Sequence, residues 1–185
     1  MKRLIWLAVF TAVSVCCKAQ FVLTPSAGLM TEDGPYVISR NGSEAENYEA
    51  AKKAVLSAIP DAKIADLEYE KSFNASSAIK DRRRLAGALV KSDLTIEYTL
   101  EVECEDGKVM VSFKSNGPME LRTKKGELFM NIYPTTGSNS MLTQVAGVQH
   151  IFNSNGNVAK QCKKIKELYE SYMNDIVKSI ENNLK

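Results

Sequence analysis

Few residues of this 185-residue chain have the type and spacing to do chemistry. His150 is the single histidine, and no second histidine or cysteine stands near it at the spacing of a metal ligand set. A Cys–His pair or a Ser-His-Asp arrangement would have to be assembled from distant segments, because no local motif predicts one. Glu97, Glu101 and Glu103 fall on one side of an alternating segment, where carboxylates can pair for acid–base work or simply stay solvated. The run Lys80-Asp81-Arg82-Arg83-Arg84 is either a dock for an anionic glycan or phosphate or the wet side of a short helix, and the second is the simpler reading. No glycines are spaced to cradle a phosphate. The sequence therefore assigns no catalytic, cofactor-binding or metal-ligating residue, and it implies a protein that is not an enzyme and carries no cofactor.

The elements that would position these groups begin with an address. Residues 1–19 read as an export signal: Lys2 and Arg3 form a basic flank, Leu4 to Val15 is charge-free and apolar, and small residues precede a cut before Gln20. The run is short of the roughly 20 apolar residues that span a bilayer. Lipid anchoring at Cys16 is the lesser alternative, since Val15 precedes it where an anchor sequence takes a small residue. Cleavage removes Lys2, Arg3 and Lys18 from the 24 basic residues and leaves 21 against 22 acidic ones, a net of −1. That balance removes the electrostatic case for nucleic acid or an anionic membrane. It also discards Cys16 and Cys17, leaving Cys104 and Cys162, too few for a disulfide scaffold.

Residues 20–34 read as a lead-in, and 35–185 as a single domain of ordinary globular composition. Residues 35–40 predict a short strand. Ser43 and Glu46 form a capping box before a helix with Tyr48, Ala51, Val55 and Ile59 on one side, ended by Pro60. Ile64, Leu67, Tyr69 and Phe73 suggest one further strand, and 77–90 a shorter helix. From Leu94 to Cys104 every second residue is apolar, which specifies an antiparallel strand with one wet face. Asp106-Gly107 supplies a two-residue turn. The register follows: Glu105 opposite Lys108, Cys104 opposite Val109, Val102 opposite Val111, Leu100 opposite Phe113. A one-residue slip would bury Glu103. A second hairpin is expected at 119–133. The polar stretch 134–156 is long for a loop and so is either functional or structured. Residues 157–184 predict a long amphipathic helix with Cys162 on its apolar stripe, close enough in character to Cys104 for the two to meet in the core as thiols or as a disulfide.

The element order, with YVIS at 36–39 and DLTIEYTLEVECEDGKVMVSF at 93–113, resembles an uncharacterised family of exported Bacteroidetes proteins, a domain of unknown function with a fold like the TATA-box-binding protein. The resemblance spans about residues 35–184. It implies an α+β fold: an antiparallel sheet of five to six strands with an N-terminal and a long C-terminal helix on one face. It brings no functional residues, and a fold name does not import DNA binding. Two functions follow as expectations. One is a periplasmic or outer-envelope binding module for an unknown protein, glycan or lipid, without nucleic acid and without an integral span. The other is a carrier of a small apolar ligand, which requires a cavity of about 300 Å³ or more between the last helix and the sheet.

Overall fold

A computed structural model describes residues 20–24, 28–31, 34–67, 71–83, 92–117, 119–123, 126–131, 148–152 and 155–185. The fold is α+β. Strands β3 (Tyr36–Ser39), β4 (Lys63–Leu67), β5 (Ser72–Arg83), β6 (Ser92–Glu105), β7 (Lys108–Ser115), β8 (Met119–Thr123), β9 (Gly126–Asn131) and β10 (Val148–His150) form one eight-stranded sheet. Its strands are antiparallel except for β10, which runs parallel to β9. Strands β1 (Val22–Thr24) and β2 (Gly28–Met30) pair separately. Helices α1 (Glu44–Ala58) and α2 (Lys163–Leu184) cover one face.

β6 organises the sheet. One edge pairs with β5 over twelve residues, from Ser72 opposite Glu103 to Arg83 opposite Ser92. The other edge is shared: Tyr98 to Glu105 pair with β7, and Asp93 to Thr95 pair with β8. The four register pairs expected from Asp106-Gly107 are all present, with Gly107 at φ 80° in the turn. Between Tyr98–Ser115 and Thr95–Glu120, β6 uses two residues and the facing chain uses four. This bulge, at 116–119, lets one strand serve two partners.

Asn47 knots α1 to the hairpin tip. The capping box forms as read, with Ser43 accepting from the Glu46 N–H and the Glu46 carboxylate accepting from the Ser43 N–H. One turn on, the fully buried Asn47 amide donates to the carbonyls of Gly42 at 3.2 Å and Glu105 at 2.7 Å, and its oxygen accepts from Arg40 Nη1 at 2.6 Å. Asp106 Oδ1 accepts from the Glu44 N–H at 2.7 Å, which satisfies another unpaired donor of the first helical turn. The backbones of Arg40 and Gly107, and of Gly107 and Gly42, are bonded as well. Gly42 has φ 154°, and a Cβ there would stand 2.9 Å from both Arg40 Nη1 and Asn47 Oδ1.

The core lies between helices and sheet. Phe73, Ala75, Leu94, Ile96, Tyr98, Leu100, Val102 and Val111 meet Ile165, Tyr169, Met173, Val177, Ile180 and Leu184 in one cluster. Residues 20–24 belong to this core rather than leading into it. Phe21 packs on Tyr36 and Phe113, and Leu23 is buried. Burial of the Tyr98 ring pushes its phenol up to about 12.

Three expectations are corrected. The apolar run 64–73 is two strands, joined by a turn in which Lys71 has φ 43°. Residues 77–83 are strand, not helix: pairing along β6 overrides a helix-favouring composition, and 84–90 lie outside the described residues. The last helix starts at Lys163, after a 3₁₀ turn at Lys160–Cys162, and the centre of its buried stripe runs through Met173 and Val177 with Tyr172 and Ile176 at the flank.

The two cysteines do not meet. The Tyr172 hydroxyl bonds Asp81, which pairs with Leu94, whereas Glu181 accepts from Tyr36, whose neighbour Val111 faces Val102. α2 thus runs toward the hairpin tip, with Cys104 at that end and Cys162 at the other. Nineteen residues of helix separate Cys162 from Glu181, about 28 Å at 1.5 Å per residue, far beyond the roughly 7 Å limit for a disulfide. Both are buried thiols, and burial raises both, Cys104 to about 11 with Glu44 adding to the shift.

Two measurements test this packing. Asn47→Leu removes the amide's hydrogen bonds to the Gly42 and Glu105 carbonyls and leaves the Arg40 guanidinium without its Oδ1 acceptor, and should lower stability by about 1–3 kcal/mol in urea unfolding; Gly42→Ala should lower it by at least about 1 kcal/mol. Thiol titration of folded chain 20–185 at about pH 8 should proceed slowly, because the raised thiols carry little thiolate, and unfolding should release its two thiols, Cys104 and Cys162. A gel mobility difference that reductant abolishes, or fewer than two thiols, would contradict the placement.

Candidate functional site

Strand parity decides which side chains stand on the face away from the helices. Phe73, Leu100, Val102 and Val111 turn inward, so their neighbours turn out. Along β6 these are Asp93, Thr95, Glu97, Thr99, Glu101, Glu103 and Glu105. The pairing sets Lys80 level with Thr95 and Lys114 level with Thr99, so lysines interleave with the acids. Glu105 pairs with Lys108 at 2.9 Å. The Ser76 hydroxyl meets Thr99 Oγ1 at 2.8 Å, and Thr99 donates onward to Asn116 Oδ1 at 3.0 Å. No described helix packs on this face.

One transverse row differs from the rest. Leu67 on β4, Ser72 on β5, Glu103 on β6, Met110 on β7 and Val37 on β3 are successive cross-strand partners on the open side. Its ends are apolar and exposed, Leu67 at 45% and Val37 at 52%. At its centre the Glu103 carboxylate is exposed. Beside it the Ser72 hydroxyl is buried and has no hydrogen-bond partner among the described residues, a costly state for a polar group. The sequence signalled Glu103 but not the row, which exists only through the pairing of five strands.

The remaining sequence candidates are dispersed. Lys80 is exposed on the open face, while Asp81 turns inward to Tyr172, so these two members of the tract stand on opposite sides of the sheet. Its Arg84 lies outside the described residues. His150 ends β10, level with Asn131 of β9. Within 134–156, residues 134–147 and 153–154 lie outside the described residues; 148–152 carry β10 and two core residues, Ile151 and Phe152. Among the described residues no group of three His, Cys, Asp or Glu side chains is placed to hold a metal ion.

One titratable cluster links α1 to β4. Asp66 accepts from the Tyr48 hydroxyl at 2.8 Å and from Lys52 Nζ at 3.0 Å. The Lys52 bond holds the Asp66 carboxyl below its ordinary value, burial raises the Tyr48 phenol, and the Asp66 bond raises Lys52. Each group is held in its resting charge state, which suits a pin between helix and strand rather than a base working near neutrality.

Among the described residues the side chains between α2 and the sheet are closely packed. Phe73, Leu100, Met173 and Ile180 are wholly inaccessible, and Tyr98 and Tyr169 nearly so. Two grooves lined by described residues open on the outside instead. One, of about 590 Å³, runs along α1 between Arg40, Glu46, Glu49 and Lys53. The other, of about 280 Å³, lies between Gln20–Val22 and α2. Among the described residues no helix is long and apolar enough to cross a membrane.

No family model matches the chain, and no curated protein matches it. Among solved structures, a DUF4468 family protein from Bacteroides ovatus superposes with a TM-score of 0.54 over 91% of this chain and 94% of its own, at 13% identity. A TBP-like protein from Parabacteroides distasonis superposes over 80% of this chain and 94% of its own at 12% identity, with a TM-score of 0.42. The chain therefore shares the α+β fold of an uncharacterised Bacteroidetes protein.

Proposed function

We propose that this chain is a non-enzymatic binding module, exported to the periplasm or outer envelope of a bacterium, that meets its partner through the open sheet face. The row from Leu67 through Glu103 to Val37 carries the reading: two exposed apolar side chains flank a carboxylate and an unpartnered buried hydroxyl. The two apolar side chains offer area to bury, and the carboxylate and hydroxyl offer hydrogen bonds, the two kinds of contact from which a recognition surface for protein, glycan or lipid headgroup is built. Glu97, Glu101 and Glu103 would repel phosphate, which weighs against nucleic acid. Export rests on the leader-like residues 1–19, with their basic flank and charge-free apolar run. Cleavage before Gln20 would leave every described core residue, Phe21 among them, in the chain. The close packing of the described core side chains beneath α2 weighs against the alternative of a carrier for a small apolar ligand.

Mass spectrometry of material co-purifying with the chain from an envelope fraction tests the reading. The wild type is expected to retain one partner class. The variant Leu67→Asp/Val37→Asp should recover about tenfold less while melting close to the wild type, since exposed substitutions usually change stability by no more than about 0.5 kcal/mol. Equal recovery by both proteins would sink the open face as the contact, and turnover of a co-purified compound would sink the non-enzymatic reading.

A further inference from the structure

We propose that cleavage before Gln20 does more than release the leader: the α-ammonium it creates closes onto carboxylates of α2 and latches the first strand. This rests on the export reading above. The backbone of this first segment is hydrogen-bonded to a helix, while the Phe21 ring packs on Tyr36 and Phe113 of the main sheet. Asn174 grips Phe21 in both directions, accepting from its N–H at 2.9 Å and donating to its carbonyl at 3.0 Å. Two residues on, the Leu23 N–H donates to Glu170 at 2.7 Å. Gln20 lies one residue before this grip and lines the adjoining groove with Glu167, Glu170, Asp175 and Lys178.

The charges in that groove leave a place for a cation. Glu170 is committed to Lys166 and to the Leu23 amide. Glu167 has no ion pair or hydrogen bond among the described residues, and Asp175 accepts only the Ser171 hydroxyl, at 3.5 Å. Among the described residues that line the groove, Lys178 is the one cation. Before cleavage the nitrogen of residue 20 is a neutral amide. Hydrolysis adds water across the Ala19–Gln20 bond, leaving a carboxylate on Ala19 and an ammonium on Gln20, within the groove. The precursor's first strand stays looser, as a chain that must cross a membrane unfolded requires, and the processed chain tightens.

The pH dependence has a definite sign. An unfolded α-amino group titrates near about 7.7–8.0. Glu167, Glu170 and Asp175 favour its charged form and raise the folded value, while Lys178 opposes them. The added stability is therefore complete below the unfolded value and is lost as pH rises through the folded one.

Calorimetry of chain 20–185 with a free amine and with an Nα-acetyl group tests the latch. The free chain should melt about 1–3 °C higher near pH 6, with the gap closing near pH 10 and absent from Glu167→Gln/Asp175→Asn. Amide exchange at Phe21 and Leu23 should be slower in the free chain. Equal melting near pH 6, a gap that survives near pH 10, or one untouched by the double variant overturns the latch alone. Mass analysis of the exported chain separates the two readings: a start at Gln20 with its ammonia retained supports the latch, a cyclised Gln20 overturns it, and a start elsewhere overturns the cleavage reading with it.

Discussion

Asn47 sits where the start of α1, the end of β3 and the tip of the β6–β7 hairpin converge, and its amide lets the three meet without stranding a backbone carbonyl. A helix entering beside a hairpin brings unpaired N–H groups and turn carbonyls into one dry place. Ser43 and Asp106 take the donors, Asn47 takes the carbonyls, and Arg40 occupies the oxygen that remains. Gly42 is the residue whose missing side chain permits this approach. With this corner fixed, α1 lies across β6 and β7, and the direction in which α2 must cover the rest follows.

The sheet divides chemistry between its two sides. Inward positions of β5, β6, β7 and β3 are spent on the core, and burial there raises the Tyr98 phenol and keeps it protonated. Outward positions alternate acid, hydroxyl and lysine, which keeps a broad flat sheet soluble and discourages face-to-face stacking. Against that background the Leu67–Val37 row departs from the rule, because nothing in the fold requires exposed leucine and valine at its ends.

Legibility in the sequence followed how local each determinant is. The β6–β7 register was readable to the residue, because side-chain alternation and the Asp106-Gly107 turn specify it twice over. The capping box was equally local. Residues 77–83 were not readable: Ala78, Lys80 and Arg83 suit a helix, and only the length of β6 converts them to strand. Asn47 was passed over in favour of Tyr48, because a helix interior gives no sign that a polar side chain will be buried against a distant turn. The cysteines shared an apolar environment in the sequence without sharing a location. The open-face row could not be read at all, since its five members lie on five strands.

The bulge at 116–119 has a consequence for how the fold tolerates change. It interrupts the ladder along β6, so the β3–β7 side and the β8–β9–β10 side are registered independently against one common strand. Lengthening or shortening the β8–β9 hairpin would leave the pairing at the Asn47 corner untouched. β6 acts as a spine on which two wings are registered separately yet share one core, since Ile151 and Phe152 beyond β10 sit in the same cluster as Val111 of β7.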